Sequence, residues 1–279
     1  MKLIFFRPPE GGTNFGDELN LFIWEKYFPK IFDNNQEKLF FGIGTIFGMT
    51  LQYPGAEKII FGSGVGKTIP KLDNEFKIYF VRGPKSAKAL NLDKSYGITD
   101  PAVLLSEIFD YNKIEKKFPV SYIPHYTGAN KLYEVACKNS GINYIDPRGD
   151  LFSIMKNIAA SEKIFCEAMH GAIVSDAFRV PWIPTFGIDS HFNFKWRDWT
   201  ESMEVPFNFH KIKRLYFNPN PSVIGKAKSL FSRKIVEKQF KNLLKEQGYL
   251  SNENILKDRI LKIKEKINQF KSQYSKSIS

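Results

Sequence analysis

Short apolar runs alternate with segments of helical periodicity through most of this chain, and no other feature narrows its possible folds as much. Residues 3–6 read as a strand, and Asn14-Phe15-Gly16-Asp17 opens an amphipathic helix that continues to about Tyr27. Residues 58–61 and 77–81 are further strands, with a helix over 84–90. The charged stretch 113–119 ends in Pro119 and marks a domain junction. Beyond it the pattern restarts, with strands at 120–123, 142–145, 163–165 and 182–185 and helices at about 132–139, 151–160 and 172–178. Strands separated by helices are joined by crossovers rather than hairpins, so each series implies a parallel sheet. The prediction is two Rossmann-like α/β domains, 1–117 and 118–215, facing a cleft, followed by C-terminal helices over 216–279.

Charge separates that tail from the body. Residues 211–279 hold 17 Lys and Arg against 5 Asp and Glu, whereas residues 1–210 hold 24 of each. Two amphipathic patterns carry the excess, one through Leu230, Phe231, Ile235, Phe240, Leu243 and Leu244, the other through Ile260, Leu261, Ile263, Ile267 and Phe270. Such helices suit an anionic membrane surface, with Lys262, Lys264 and Lys266 facing the headgroups; the alternative is an apolar stripe packed on the body beneath solvated lysines. With few aromatics and no binding module in the tail, nucleic acid is not an expected partner. The apolar start at 3–6 is too short for a signal core, and the uncharged stretch 39–56 is broken by Gly42, Gly44, Gly48 and Pro54, which argues against a membrane span. Two cysteines make no disulfide framework, and no Asp, Glu or His spacing marks a metal site. A cytoplasmic location, peripheral on the inner face of the cell membrane, is the expectation.

The chemistry-bearing residues fall where strands give way to helices. Cys166-Glu167-Ala168-Met169-His170-Gly171 follows a strand and precedes a helix, so His170 meets the free N–H groups and positive dipole end that favour anions. It can donate a proton or bind phosphate there; the alternative is a helix cap or a packed core histidine. After the first strand, Asn14 can cap the helix, Gly16 permits close approach and Asp17 can act on a sugar hydroxyl. Arg82, at the end of the 77–81 strand, suits a carboxylate or phosphate, with an ion pair to Asp100 as the structural alternative. Phe61-Gly62-Ser63-Gly64-Val65-Gly66-Lys67-Thr68 nearly matches a P-loop, but Phe61 stands where the first glycine belongs. It reads instead as a Gly-rich turn in which Gly64 lets a ligand or neighbouring loop approach the backbone. In the block 191–199, Lys195 and Arg197 offer charge, while Trp196 and Trp199 offer flat faces for a sugar ring or else simply pack in a core. His125 and His191 are weaker candidates.

Taken in order, Asn14-Phe15-Gly16-Asp17, Gly62-Ser63-Gly64, Val81-Arg82-Gly83-Pro84, Asp100-Pro101-Ala102 and Met169-His170-Gly171 resemble the polysaccharide pyruvyl transferase family. The Glu167-Ala168-Met169-His170 and Lys195-Trp196-Arg197-Asp198-Trp199 segments are most similar to its succinoglycan-type subgroup. The resemblance implies a glycosyltransferase-B-like fold and, as donor, phosphoenolpyruvate, with no separate cofactor. The acceptor would be a sugar of a lipid-linked oligosaccharide, a repeat unit of an exopolysaccharide or capsule, and the product a pyruvate ketal. The N-terminal domain with Arg82 is the expected acceptor side, and the second domain, around His170 and Gly171, the expected donor side. His170 would be the acid and Asp17 the base. Many relatives carry an Arg two residues before the histidine, where this chain has Ala168, which leaves the donor to Arg82, Lys195 or Arg197. Two other readings are a glycosyltransferase using a nucleotide sugar and a non-catalytic assembly factor for surface polysaccharide.

Overall fold

A computed structural model describes residues 1–8, 12–186 and 193–274. In chain order the elements begin with β1 (Lys2–Ile4), α1 (Phe15–Tyr27), β2 (Lys38–Phe41), β3 (Glu57–Phe61), β4 (Phe76–Phe80), α2 (Pro84–Ala89) and α3 (Leu105–Ile108). There follow β5 (Ser121–Ile123), α4 (Lys131–Asn139), β6 (Asn143–Tyr144), α5 (Leu151–Ala159), β7 (Ile164–Cys166), α6 (Met169–Ala177) and β8 (Trp182–Phe186). The last are α7 (Asn193–Ser202), β9 (His210–Lys211), α8 (Val223–Leu243) and α9 (Glu253–Tyr274). They build two wholly parallel sheets, ordered β1-β2-β3-β4 and β6-β5-β7-β8-β9. The architecture is the expected pair of Rossmann-like α/β units with C-terminal helices.

The units are discontinuous in sequence, unlike the contiguous ranges 1–117, 118–215 and 216–279. Unit 1 comprises Met1–Ile108, His191–Pro206 and Ser251–Ser279, and unit 2 comprises Phe109–Ser190 and Phe207–Leu250. Side-chain burial explains the division, because a helix joins whichever sheet covers its apolar stripe. In α9, Ile260, Ile263, Ile267 and Phe270 are buried. Phe270 enters an aromatic cluster of unit 1, with ring centroids 4.6 Å from Phe28 and 5.7 Å from Phe61. α8 instead sends Val236, Phe240 and Leu243 into the core of unit 2, beside Tyr122, Tyr133 and Phe165. The basic tail is thus two helices serving two cores.

In unit 1 both sheet faces are covered. Phe40 and Phe41, adjacent in β2, point to opposite faces and are both fully buried, Phe40 against Trp24, Phe28 and Phe61 and Phe41 in the cluster of Ile4, Leu39 and Ile60. Such a strand shows no apolar–polar alternation. In unit 2, β8 is extended by Tyr249, whose N–H donates to the Trp182 carbonyl at 2.8 Å while the Trp182 N–H donates back at 3.0 Å.

Candidate functional site

Four loops of unit 1 leave the carboxyl ends of parallel strands and converge, as open α/β sheets require of a ligand site. After β1, Asn14 holds the N-cap position of α1 with extended backbone, yet its side chain makes no cap bond. Its amide donates to Asp17 Oδ2 instead. The Asn14 carbonyl accepts from Asp17 N–H at 3.0 Å and from Glu18 N–H at 3.1 Å. Gly16 and Asp17 are buried in this first turn, and Asp17 Oδ1 borders Gly44, from the loop after β2. Gly44 accepts a hydrogen bond at 2.9 Å from Gly64 N–H, in the loop after β3.

Arg82 ends the series after β4. It is fully buried, and its Nη1 donates to Thr45 Oγ1 at 2.8 Å while its Nε lies 3.2 Å from Asp198 Oδ2. The guanidinium lies flat on Gly64: a Cβ at that position would stand 2.2 Å from Arg82 Cζ. The Gly-rich turn that mimics a P-loop therefore makes room for an arginine. Arg82's ion-pair partner is Asp198, which corrects the alternative of Asp100. Asp100 accepts from Ala102 N–H at 3.0 Å and caps a 3₁₀ turn.

Asp198, carried by α7, is also fully buried. Its Oδ1 accepts from Ser86 N–H at 2.9 Å and its Oδ2 from Ser86 Oγ at 2.5 Å. Ser86 is in the first turn of α2, where the N–H groups have no partner inside the helix, so Asp198 caps α2 from a distant part of the sequence. Breaking a buried pair of this kind leaves an uncompensated charge and costs about 3–5 kcal/mol. With Nε and Nη1 committed, Arg82 Nη2 is buried and has no hydrogen-bond partner among the described residues. A buried donor left open in this way fits an anionic acceptor.

The other candidates of this block are distributed differently. Trp196 and Trp199 are buried with ring centroids 6.1 Å apart, so they are core residues of unit 1 and offer no open face to a sugar. Arg197 is exposed, its Nε donating to Asn193 Oδ1 at 2.6 Å, and Lys195 is half-buried. His191 lies outside the described residues.

Unit 2 presents a second carboxyl edge. α6 begins at Met169, so His170 is the second residue of the helix rather than a residue ahead of it. It is half-buried, at the end of β7. The N-cap, Ala168, makes no side-chain cap bond. Gly171 lets α6 press on β5, since a Cβ there would stand 2.6 Å from Ile123 Cγ2. Glu167, which sequence reasoning passed over, accepts from His125 N–H at 3.1 Å and from the Tyr122 hydroxyl at 3.3 Å. Burial, and then the Glu167 carboxylate, pushes the Tyr122 phenol well above its ordinary value. Burial likewise raises the thiols of Cys137 and Cys166, which are free, buried and unsuited to act as nucleophiles. No cluster of three or more His, Cys, Asp or Glu that could hold a metal occurs among the described residues.

A groove of about 510 Å³ in unit 1 lies away from these loops, lined by Lys38, Lys77, Tyr79, Gln269, Gln273 and Tyr274. The Tyr274 hydroxyl of α9 donates there to Glu57 of β3 at 2.7 Å, and Glu57 is also 2.8 Å from Lys77 Nζ of β4.

A family model described as polysaccharide pyruvyl transferase matches residues 11–190. The chain belongs to the polysaccharide pyruvyl transferase family. It is 36% identical over 216 residues to the succinoglycan biosynthesis protein ExoV of Rhizobium meliloti (strain 1021), covering 76% of this chain and 68% of the relative. No solved structure matches it. The family match spans the unit 1 loops from Asn14 to Arg82 and the His170 turn, and it ends before Asp198, the residue that fixes Arg82. No helix among the described residues is long and apolar enough to cross a membrane.

Proposed function

We propose that this protein transfers a pyruvyl group from phosphoenolpyruvate to two hydroxyls of a sugar in a lipid-linked polysaccharide repeat unit, forming a pyruvate ketal. Family membership supports the transfer, and the observation that carries the choice of donor is Arg82. Its Nη2 is a buried, uncommitted donor at a parallel sheet's carboxyl edge, suited to the carboxylate or phosphate of phosphoenolpyruvate. Because Ala168 offers no cation, Arg82 takes the larger share of anion recognition in this reading.

The reaction needs a proton on the donor's methylene carbon, which becomes a methyl group and leaves C2 electrophilic. His170 is the proposed acid, and the N–H groups at the start of α6 favour the anionic group it accompanies. A sugar hydroxyl attacks C2, giving its proton to Asp17, the proposed base. The C2–O bond to phosphate breaks and inorganic phosphate departs with the bonding pair. The second hydroxyl then adds to C2, closing the ketal. One proton has gone to carbon and two have left the sugar, so the phosphate takes up the balance.

Incubation with phosphoenolpyruvate and a short oligosaccharide acceptor tests the reading. Phosphate release that depends on the acceptor, with a product that yields pyruvate on mild acid hydrolysis, is the expected result. Turnover of a nucleotide sugar in its place would assign the chain to glycosyl transfer.

A further inference from the structure

We infer that the solvent side of α8 is a docking face for an anionic lipid bilayer. The helix has two apolar stripes. One, through Val236, Phe240 and Leu243, is buried in the core of unit 2. The other begins at the helix start, where Val223, Ile224, Leu230 and Phe231 are 83, 69, 50 and 68% exposed. With Ala227 these follow an i, i+1, i+4, i+7, i+8 spacing on the opposite side of the helix, so the second stripe is a continuous face rather than scattered exposed residues. Continued by the same spacing, that face changes from apolar residues to Lys234, Lys238 and Lys241, with Lys226 and Lys228 on its flanks. α8 holds six Lys or Arg and a single acid, Glu237, which is occupied by Arg233, Lys234 and Asn139. Lys226, Lys228, Lys238 and Lys241 have no carboxylate within salt-bridge distance among the described residues. The loop leading into the helix exposes Tyr216 and Phe217, with Arg214 over the Tyr216 ring at 5.2 Å.

An apolar stripe rimmed by unpaired lysines matches a surface that is apolar within and anionic at its boundary. A bilayer bearing acidic headgroups is such a surface: the side chains of the stripe enter the acyl boundary and the lysines extend to the phosphates. α9 does not compete for the role, since its apolar stripe is buried apart from Leu261, and Lys262 and Lys264 are paired with Asp258 and Glu107 at 2.8 Å each. The inference stands independently of the pyruvyl-transfer reading, because binding to vesicles requires no turnover.

The test is sedimentation of the full chain with vesicles of phosphatidylcholine alone or mixed with phosphatidylglycerol. The wild type partitions onto the anionic vesicles and is released by salt. Leu230→Ser with Phe231→Ser lowers that partitioning at least about tenfold. Lys226→Glu with Lys228→Glu does the same, by at least about tenfold, for anionic vesicles alone. Lys266→Glu on α9 changes it by less than about twofold. Since the four native tryptophans are at most 1% exposed, the exposed indole of Phe231→Trp should show a blue shift with anionic vesicles. No binding by the wild type, equal binding by the stripe variants, or light scattering that shows a dimer dissociated by Leu230→Ser with Phe231→Ser would each overturn the inference, the last assigning the stripe to a second copy of this chain.

Discussion

The carboxyl edges of the two sheets are built on different principles. In unit 1 the edge is held by buried charge: Arg82 and Asp198 neutralise one another, Asp198 caps α2 through Ser86, and Gly64 is open so that the guanidinium can lie on it. In unit 2 the edge is made of backbone and close packing, with Gly171 against Ile123 and Glu167 receiving the N–H of His125, while His170 stands half-buried in the first turn of α6. In the proposed mechanism, folding and function therefore fall on the same atoms in one unit and on separable atoms in the other. A lost activity after mutation at Arg82 or Asp198 says little until the fold has been checked. At His170 the two effects should come apart.

Asp198→Ala should produce the largest effect. It leaves the Arg82 guanidinium buried without its carboxylate and uncaps α2, for a loss of about 3–5 kcal/mol in chemical denaturation. A variant as stable as the wild type would show that unit 1's edge does not depend on the ion pair, and the comparison would fail on that side.

His170→Ala sharpens the other side. Turnover should fall at least about a hundredfold if the imidazole transfers a proton. Stability should change by less than about 1 kcal/mol, as expected for a half-buried side chain at a helix start. Near-normal turnover with the fold intact would remove His170 from the chemistry.

Much of this architecture was legible in the sequence because parallel α/β units announce themselves through alternation. The His170 turn and the Asn14, Gly64 and Arg82 loops fall at strand ends as the apolar runs implied. β2 escaped notice because both Phe40 and Phe41 are buried, so the strand has no alternating face and reads only as an uncharged stretch. Packing partners were less legible, since periodicity reports that a stripe is apolar and not which sheet covers it. For that reason Trp196 and Trp199 read either as sugar platforms or as core residues, and both are core residues. Asp198 was visible in the same block, but its pairing with Arg82 spans 116 positions and leaves no local signal. Asn14 shows the same limit at short range: its position is that of a helix cap, yet its side chain turns to Asp17.

If Arg82's open Nη2 receives an anionic group of phosphoenolpyruvate, as proposed, thermal unfolding with and without that donor will reveal it. Arg82→Lys keeps a cation for Asp198 but cannot present a second planar N–H group. At a donor concentration about a hundred times Kd, the wild type should gain about 2.7 kcal/mol of stability, and a tenfold weaker variant only about 1.4 kcal/mol. Equal gains in the folded wild type and variant, or a gain with a nucleotide sugar and none with phosphoenolpyruvate, would contradict the claim.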